Sequence, residues 1–140
     1  MTYEETLHYL YTSIPVFQHS GASAYKPGLG TSIALDDYLG NPHKAYKTIH
    51  VAGTNGKGSV SHLLAAILRQ SGFKVGLYTS PHLVDFRERI RVNGKKISQD
   101  YVVDFVERHR SFFEPLHPSF FELTSSMAFE YFRDLSLIHI

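Results

Sequence analysis

The sequence predicts an α/β fold in which helices cover a mainly parallel sheet, giving three layers. The prediction depends on three consecutive segments. Residues 47–52 form a short β-prone run, residues 60–70 place apolar side chains at helical spacing, and residues 74–78 form a second β-prone run. A strand, a helix and a strand within roughly 35 residues are typical of a βαβ unit, whose parallel strands are joined by a right-handed crossover.

The segments before this unit predict two helices separated by a loop. Thr2 and Glu5 have the spacing of a capping box, which predicts a helix over about residues 3–12. Residues 18–30 are rich in Gly, Ser and Ala and predict a loop. A second, short helix is predicted over Thr31–Leu39, with Thr31 as its cap and a glycine directly after its last residue.

The segments after the unit predict a hairpin and two further helices. Asn93–Gly94 lies between two β-prone runs, and this dipeptide supplies the two positive φ angles of a type I′ turn. Ser98 is placed to cap a helix that ends at about Phe113. From Phe120 onward the chain is apolar and is predicted to be helical to about Phe132.

Composition and charge narrow the classes of function. The chain is 43% hydrophobic with a net charge of +1, which predicts no electrostatic surface for nucleic acid or an anionic membrane. It contains no cysteine, which excludes disulfides and thiolate metal sites. The N-terminus lacks the layout of a signal peptide, and no apolar run approaches the ~20 residues that span a bilayer. We therefore expect a cytoplasmic protein.

A glycine-rich turn joins the first predicted strand to its helix, and its residues are Gly53, Thr54, Asn55, Gly56, Lys57, Gly58 and Ser59. Glycines let backbone N–H groups approach an anion closely, and a helix N-terminus adds partial positive charge. In a nucleotide site Lys57 would contact the β- and γ-phosphates, and Ser59 would ligate Mg²⁺. The turn departs from the pattern G-x-x-x-x-G-K-[ST], because Gly58 separates the lysine from the hydroxyl residue. Alone, it is also compatible with an ordinary strand-to-helix turn.

The stretch Ile49–Ser59 resembles the phosphate loop of the folylpolyglutamate synthase and dihydrofolate synthase family. These enzymes are ATP-dependent amide-bond ligases of the Mur ligase superfamily. Leu39–His43 resembles the family's lead into its first strand. Tyr78–Leu83 with Glu88–Gly94 resembles its second motif. Phe120–Glu122, followed by Thr124 and Ala128–Phe129, resembles its third.

The motifs occur in the family's order and cover about residues 28–133. The resemblance implies a P-loop-type domain with ATP and Mg²⁺ as cofactors, truncated so that residues 1–134 are its N-terminal part. In this family ATP phosphorylates the terminal carboxylate of a pteroate or folate, and the amino group of L-glutamate attacks the acyl phosphate. The implied substrates are dihydropteroate or folate, L-glutamate and ATP, and the protein is expected to be a monomer.

The resemblance also assigns roles by motif position. The glycine-rich turn would hold the triphosphate, with Lys57 and Ser59 as catalytic residues. Ser59 and Glu122 would be the Mg²⁺ ligands, since this cation prefers oxygen donors. The residues expected to contact the pterin substrate are Thr79, Ser80, Pro81, His82, Leu83, Phe120 and Phe121. Without the resemblance, we interpret Glu122 as a carboxylate at a helix start, and Phe120 and Phe121 as core residues.

Three arginines near the hairpin allow two interpretations. Arg87, Arg89 and Arg91 alternate along a predicted strand and share one face. We interpret this face as solvated and balanced by acidic neighbours. An anion-facing surface for a glutamate tail or a phosphate is the alternative.

Two other functions stay open at this stage. A cell-wall Mur ligase would share the phosphate loop, although the Gly-Lys-Gly-Ser and Ser-Pro-His-Leu sequences favour the folate enzymes. A nucleotide-binding module without ligase activity is the second alternative. The sequence does not separate dihydrofolate synthase from folylpolyglutamate synthase activity.

The last six residues, 135–140, fit the family poorly, because a polar turn leading into a strand is expected there. They match the translation of a widely used transposon sequencing adapter. We therefore expect the native sequence to end near Asp134 and the tail to be non-native. The family's glutamate-binding domain and the remaining metal ligands would follow, so the isolated chain is expected to be inactive in ligation.

Overall fold

A computed structural model describes residues 1–14 and 28–138, with side chains up to residue 135. The elements are α1 (Tyr3–Ser13), α2 (Gly30–Leu39), α3 (Lys57–Gln70), β1 (Gly76–Tyr78), β2 (Ile90–Val92), β3 (Lys95–Lys96), α4 (Gln99–Phe113) and α5 (Phe120–Ile138). Short 3₁₀ helices cover Pro42–Ala45, Phe86–Arg89 and Glu114–Leu116. None of the helices in the described ranges has the length and apolar character needed to cross a membrane.

The structure is mainly helical, and the predicted α/β, P-loop-type three-layer fold with a mainly parallel sheet is wrong for this chain. The sheet of the described residues has three strands in the order β1-β2-β3, and both pairs are antiparallel. Gly76 faces Val92 in the first pair, and Arg91 faces Lys96 in the second. Residues 47–52, the predicted first strand, belong to no strand.

The predicted hairpin is confirmed, and it accounts for the antiparallel pairing. Asn93 and Gly94 have φ angles of 48° and 81°, as a type I′ turn requires. Asn93 also exchanges two hydrogen bonds with Val75, each 2.9 Å long, and these align β1 with β2. Parallel strands are normally buried on both faces, whereas residues 47–50 are exposed. Local antiparallel contacts therefore form the observed sheet, in place of the parallel pairing that the βαβ pattern predicted.

The predicted helix starts are partly confirmed. The side chain of Thr2 accepts from the N–H of Glu5, and the carboxylate of Glu5 accepts from the N–H of Thr2, which completes the capping box of α1. Ser98 caps α4 as predicted. For α2 the N-cap is Leu29, so the predicted cap at Thr31 is wrong.

The helix ends differ more from prediction. Gly40 ends α2 in the left-handed region at φ 83°, as expected for a glycine directly after a helix. Helix α5 begins at Phe120 as predicted but continues past Phe132 to Ile138. The predicted loop over residues 18–30 lies mostly outside the described residues. The non-native origin of residues 135–140 stays a prediction.

The core lies where α1, α4 and α5 meet the hairpin. Its fully buried side chains include Leu10 from α1, Phe105 from α4, Met127 from α5 and Ile90 from β2. Helix α3 contacts β1 but contains no buried residue, and its Val60, Leu63 and Ile67 side chains are exposed. The described chain therefore has one well-packed part and a helix, α3, that leaves its apolar face open.

Candidate functional site

The glycine-rich turn leads directly into α3 with the backbone that its glycines predict. Gly53 has φ 151° and Gly56 has φ 75°, both unfavourable for residues that carry a Cβ. Gly56 is the N-cap of α3, and its carbonyl accepts from the N–H of Val60 at 3.0 Å. Gly58 lies in the first helical turn without a positive φ. Only two of the three glycines therefore need their conformational freedom for the backbone itself.

The start of α3 fits a phosphate group in form and charge. The first N–H groups of a helix have no intrahelical acceptor, and they carry the positive end of the helix dipole. Lys57 begins the helix, and its Cγ lies 3.9 Å from the position a Cβ on Gly53 would take. The whole turn, including Ser59, is exposed. The turn is thus an exposed helix start with a lysine beside it, a form that is compatible with an anion.

The second predicted segment, Thr79–Leu83, follows β1 and is fixed to neighbouring elements. The N–H of Thr79 donates to the carbonyl of Arg89 at 2.9 Å. The Ser80–Pro81 peptide bond is cis. His82 has a partner on each ring nitrogen, while Leu83 projects with 91% of its surface exposed.

The two phenylalanines of the third motif lie in different environments. Phe120 is 3% exposed and stacks on Tyr11 with ring centroids 5.6 Å apart. Phe121 is 58% exposed, and its ring lies 5.9 Å from that of Tyr78. Of the two predicted substrate contacts, Phe121 is accessible, and Phe120 belongs to the core.

Glu122 forms a capping box with Ser119 at the start of α5. Its carboxylate accepts from the N–H of Ser119 at 2.8 Å, and its own N–H donates to the Ser119 hydroxyl at 3.1 Å. This is the helix-start role that the sequence alone suggests for a glutamate at this position. Within residues 1–14 and 28–138, no group of three or more His, Asp or Glu side chains converges as a metal site. The assignment of Ser59 and Glu122 to Mg²⁺ stays a prediction.

The structure joins the second motif to the third through contacts that the sequence did not predict. The Tyr78 hydroxyl lies 2.7 Å from the Thr124 hydroxyl, which links the end of β1 to α5. Tyr11 of α1 contacts His82 and Phe120. Arg89 is buried, so the prediction of a solvated face does not hold for it. The sequence marks Arg89 by its place in Glu88–Gly94 and by the alternating arginines, whereas Tyr11 carries no signal beyond its place in the predicted first helix.

A glycine-rich, exposed helix start with a lysine is the kind of turn that binds phosphate groups in proteins, and the comparisons with known proteins indicate which family carries it here. No family model matches the chain. A solved folylpolyglutamate synthase from Thermotoga maritima is 44% identical with a TM-score of 0.83, and the match covers 96% of this chain and 31% of that one. A dihydrofolate synthase/folylpolyglutamate synthase from Bacillus subtilis is 40% identical over 115 residues, covering 78% of this chain and 27% of the relative.

The chain is a homologue of the folylpolyglutamate and dihydrofolate synthases. The folylpolyglutamate synthase of Lacticaseibacillus casei is 34% identical, with 100% of this chain and 34% of the relative covered. A solved complex of such a synthase with AMPPCP and folate has a TM-score of 0.81 at 33% identity. The chain spans about a third of the length of these relatives.

Proposed function

We propose that residues 1–134 are the N-terminal part of an ATP-dependent ligase that joins L-glutamate to dihydropteroate, to folate, or to both. The reaction would proceed through an acyl phosphate on the pterin-bearing carboxylate. The observation that carries this proposal is the similarity to folylpolyglutamate synthase, which extends over 96% of the chain at 44% identity. Because the chain spans about a third of its relatives, the activity is assigned to the complete protein.

The glycine-rich turn would bind the triphosphate of ATP. Its support is the open helix start at Lys57 and the positive φ angles at Gly53 and Gly56. The remaining turn residues, Thr54, Asn55, Gly58 and Ser59, would complete the backbone cradle. Lys57 would neutralise negative charge that develops as the γ-phosphoryl group is transferred. A solved relative in complex with AMPPCP is consistent with this role.

Magnesium would balance the charge of the phosphate oxygens during transfer. The Ser59 hydroxyl fits this ion, because it is exposed in the first turn of α3 beside the phosphate cradle. The carboxylate of Glu122 has the right chemistry, and in this chain it also caps α5 through Ser119. To bind Mg²⁺, the Glu122 carboxylate would have to contact the ion in addition to the N–H of Ser119, or in place of it.

The pterin substrate would contact the Thr79–Leu83 segment and the exposed ring of Phe121. An aromatic face beside Tyr78 offers a flat surface for stacking a pterin. Phe120, which stacks on Tyr11 in the core, would support this surface from below. Cytoplasmic location, a monomeric state and the lack of nucleic-acid partners stay predictions of the sequence.

Assays on the complete protein encoded at this locus test the proposal. ADP release should require ATP, L-glutamate and either dihydropteroate or a reduced folate together. Lys57→Ala should lower the rate by about 10²-fold or more, since it removes a charge at the transferring phosphoryl group. ADP release that depends on a UDP-sugar peptide would indicate the cell-wall alternative, and nucleotide binding without ligation would indicate a binding module.

A further inference from the structure

Arg89, in the Glu88–Gly94 part of the second motif, is a buried cation that reaches the third motif. It ends the 3₁₀ helix Phe86–Arg89 and is 4% exposed. Its Nε donates to Nδ1 of His82 at 2.8 Å, and its guanidinium lies over the ring of Phe120, 4.8 Å from the centroid. A single side chain therefore contacts His82 of the second motif and Phe120 of the third.

The hydrogen bonds around His82 fix its tautomer. A guanidinium only donates, so Nδ1 of His82 must accept and the ring proton must lie on Nε2. Nε2 then donates to the Tyr11 hydroxyl at 2.9 Å. A proton on Nδ1 of His82 would face the Nε–H of Arg89, and these two donors would repel each other. The imidazole is therefore neutral. Burial and the nearby charge of Arg89 lower the pKa of His82, in agreement with this geometry.

A second support holds the adjoining residues. The carboxylate of Glu88 accepts from the backbone N–H groups of Leu83, Val84 and Asp85 at 3.0, 3.2 and 2.8 Å. Leu83 and Val84 nevertheless expose 91% and 90% of their surfaces. The backbone after Pro81 is thus held by the Arg89–His82 hydrogen bond and by the carboxylate of Glu88. The side chains of Leu83 and Val84 stay exposed and accessible to a ligand.

Burial of Arg89 is costly for a merely structural residue. Burial lowers its pKa, although a hydrogen bond with Tyr78 and the nearby Tyr11 oppose the shift. None of the ion pairs formed by the described residues includes Arg89. An uncompensated buried charge normally destabilises a fold. The neighbouring Arg91 differs, because it is only half-buried and its Nε donates to the carbonyl of Glu88 at 3.3 Å.

We propose that Arg89 is a positioning residue for the pterin-bearing substrate: it orients His82 and supports Phe120, and so holds Thr79–Leu83 in the conformation that binds this substrate. Arg89 does not touch the substrate itself. The inference rests on the proposed ligase function. It assigns Arg89 a role distinct from those of Arg87 and Arg91, although the three share one sequence pattern.

Steady-state kinetics of the complete protein test the substrate role. Arg89→Lys should raise the KM for dihydropteroate or reduced folate about tenfold and leave the KM for ATP within about twofold. The reason is that lysine cannot both donate to His82 and lie flat over the ring of Phe120 as arginine does. Tyr11→Phe, a milder change, should raise the same KM by a smaller factor. Arg91→Lys, the matched control, should leave both constants within about twofold. An unchanged pterin KM in Arg89→Lys, or a parallel rise in both constants, would overturn the proposal.

Nitrogen-15 NMR of the 140-residue chain separates this inference from the proposed function. The His82 signals, assigned by their loss in His82→Gln, should show a protonated Nε2 and an unprotonated Nδ1, and Arg89→Lys should shift them toward tautomer averaging. Averaged tautomers in the unsubstituted chain overturn the inference alone. The fixed tautomer combined with no ligation by the complete protein overturns the proposed function, and with it the substrate role of Arg89.

Discussion

Phe120 and Phe121 are adjacent in sequence, yet they face the core and the solvent respectively. A helix turns about 100° per residue, so neighbouring side chains at its start point in different directions. The sequence predicts an aromatic pair at this position, but it does not predict which ring faces the core. That choice depends on Tyr11, Phe86 and Arg89, which reach Phe120 from distant parts of the chain.

Alanine substitutions at the two rings should separate stability from substrate binding. Phe120→Ala is expected to lower the free energy of unfolding by about 3–5 kcal/mol, because it leaves a cavity in the core. Phe121→Ala should change it by less than about 1 kcal/mol and should raise the KM for the pterin substrate in the complete protein. Urea denaturation and steady-state kinetics measure the two effects. Equal destabilisation by both substitutions would contradict the assigned burial.

The glycines of the phosphate turn should also respond differently to alanine. Gly56→Ala is expected to reduce amide protection in the first turns of α3, because φ 75° costs an L-residue about 1–2 kcal/mol. Gly58→Ala should preserve or increase that protection, since a Cβ there meets no atom within 4 Å and alanine favours helix by up to about 1 kcal/mol. Hydrogen exchange of the α3 amides measures both. Loss of protection in Gly58→Ala would show that Gly58 has a backbone role.

At the scale of elements, the contact between α4 and α5 is centred on a buried carboxylate. Glu130 of α5 accepts from Arg108 at 2.6 Å, His109 at 2.8 Å and Tyr101 at 2.8 Å, all three on α4. Burial alone would raise the pKa of Glu130, but these hydrogen bonds and the charge of His109 outweigh it. They lower the pKa from 4.5 to about 2.

The Glu130 cluster should make the stability of the chain depend on acid pH. Because the folded-state pKa lies below the unfolded one, the contribution is complete above pH 4.5 and is lost as the pH falls toward about 2. It amounts to about 3 kcal/mol at 1.36 kcal/mol per unit. Unfolding free energies measured across this range should fall steeply in the unsubstituted chain and in the control Asp100→Asn, which removes an exposed carboxylate outside the cluster. A slope that persists unchanged in Glu130→Gln would refute the assignment.

Elements with local signals were predictable, whereas their pairing was not. The capping residues Thr2 and Ser98 and the turn Asn93–Gly94 act within a few residues, and all three are confirmed. The parallel pairing of residues 47–52 with 74–78 needed contacts across the helix between them. In the described chain, Asn93 binds Val75 instead and directs β1 to the hairpin. A β-prone run indicates an extended segment without identifying its partner.

At the scale of the whole molecule, the motifs predicted the relationship better than the fold. The similarity to folylpolyglutamate synthase is confirmed, while the parallel sheet is absent from the described residues. Motif residues such as Lys57 and His82 are marked by residue type and by their near neighbours in the chain, so they can be recognised in one sequence. The sheet depends on non-local pairing, which motif spacing does not determine. The contacts of Tyr11 and Arg89 with His82 likewise could not be predicted without the three-dimensional structure.

The measurement that tests the central claim most directly is mass spectrometry of the pterin product formed by the complete protein. The protein is incubated with ATP, L-glutamate labelled with nitrogen-15, and either dihydropteroate or a reduced folate. We predict that the labelled nitrogen appears in an amide of the pterin product, with ADP formed in equal amount, and that the 140-residue chain alone forms none. A product without labelled glutamate, despite ATP consumption by the complete protein, would contradict the assignment of this chain to a folate–glutamate ligase.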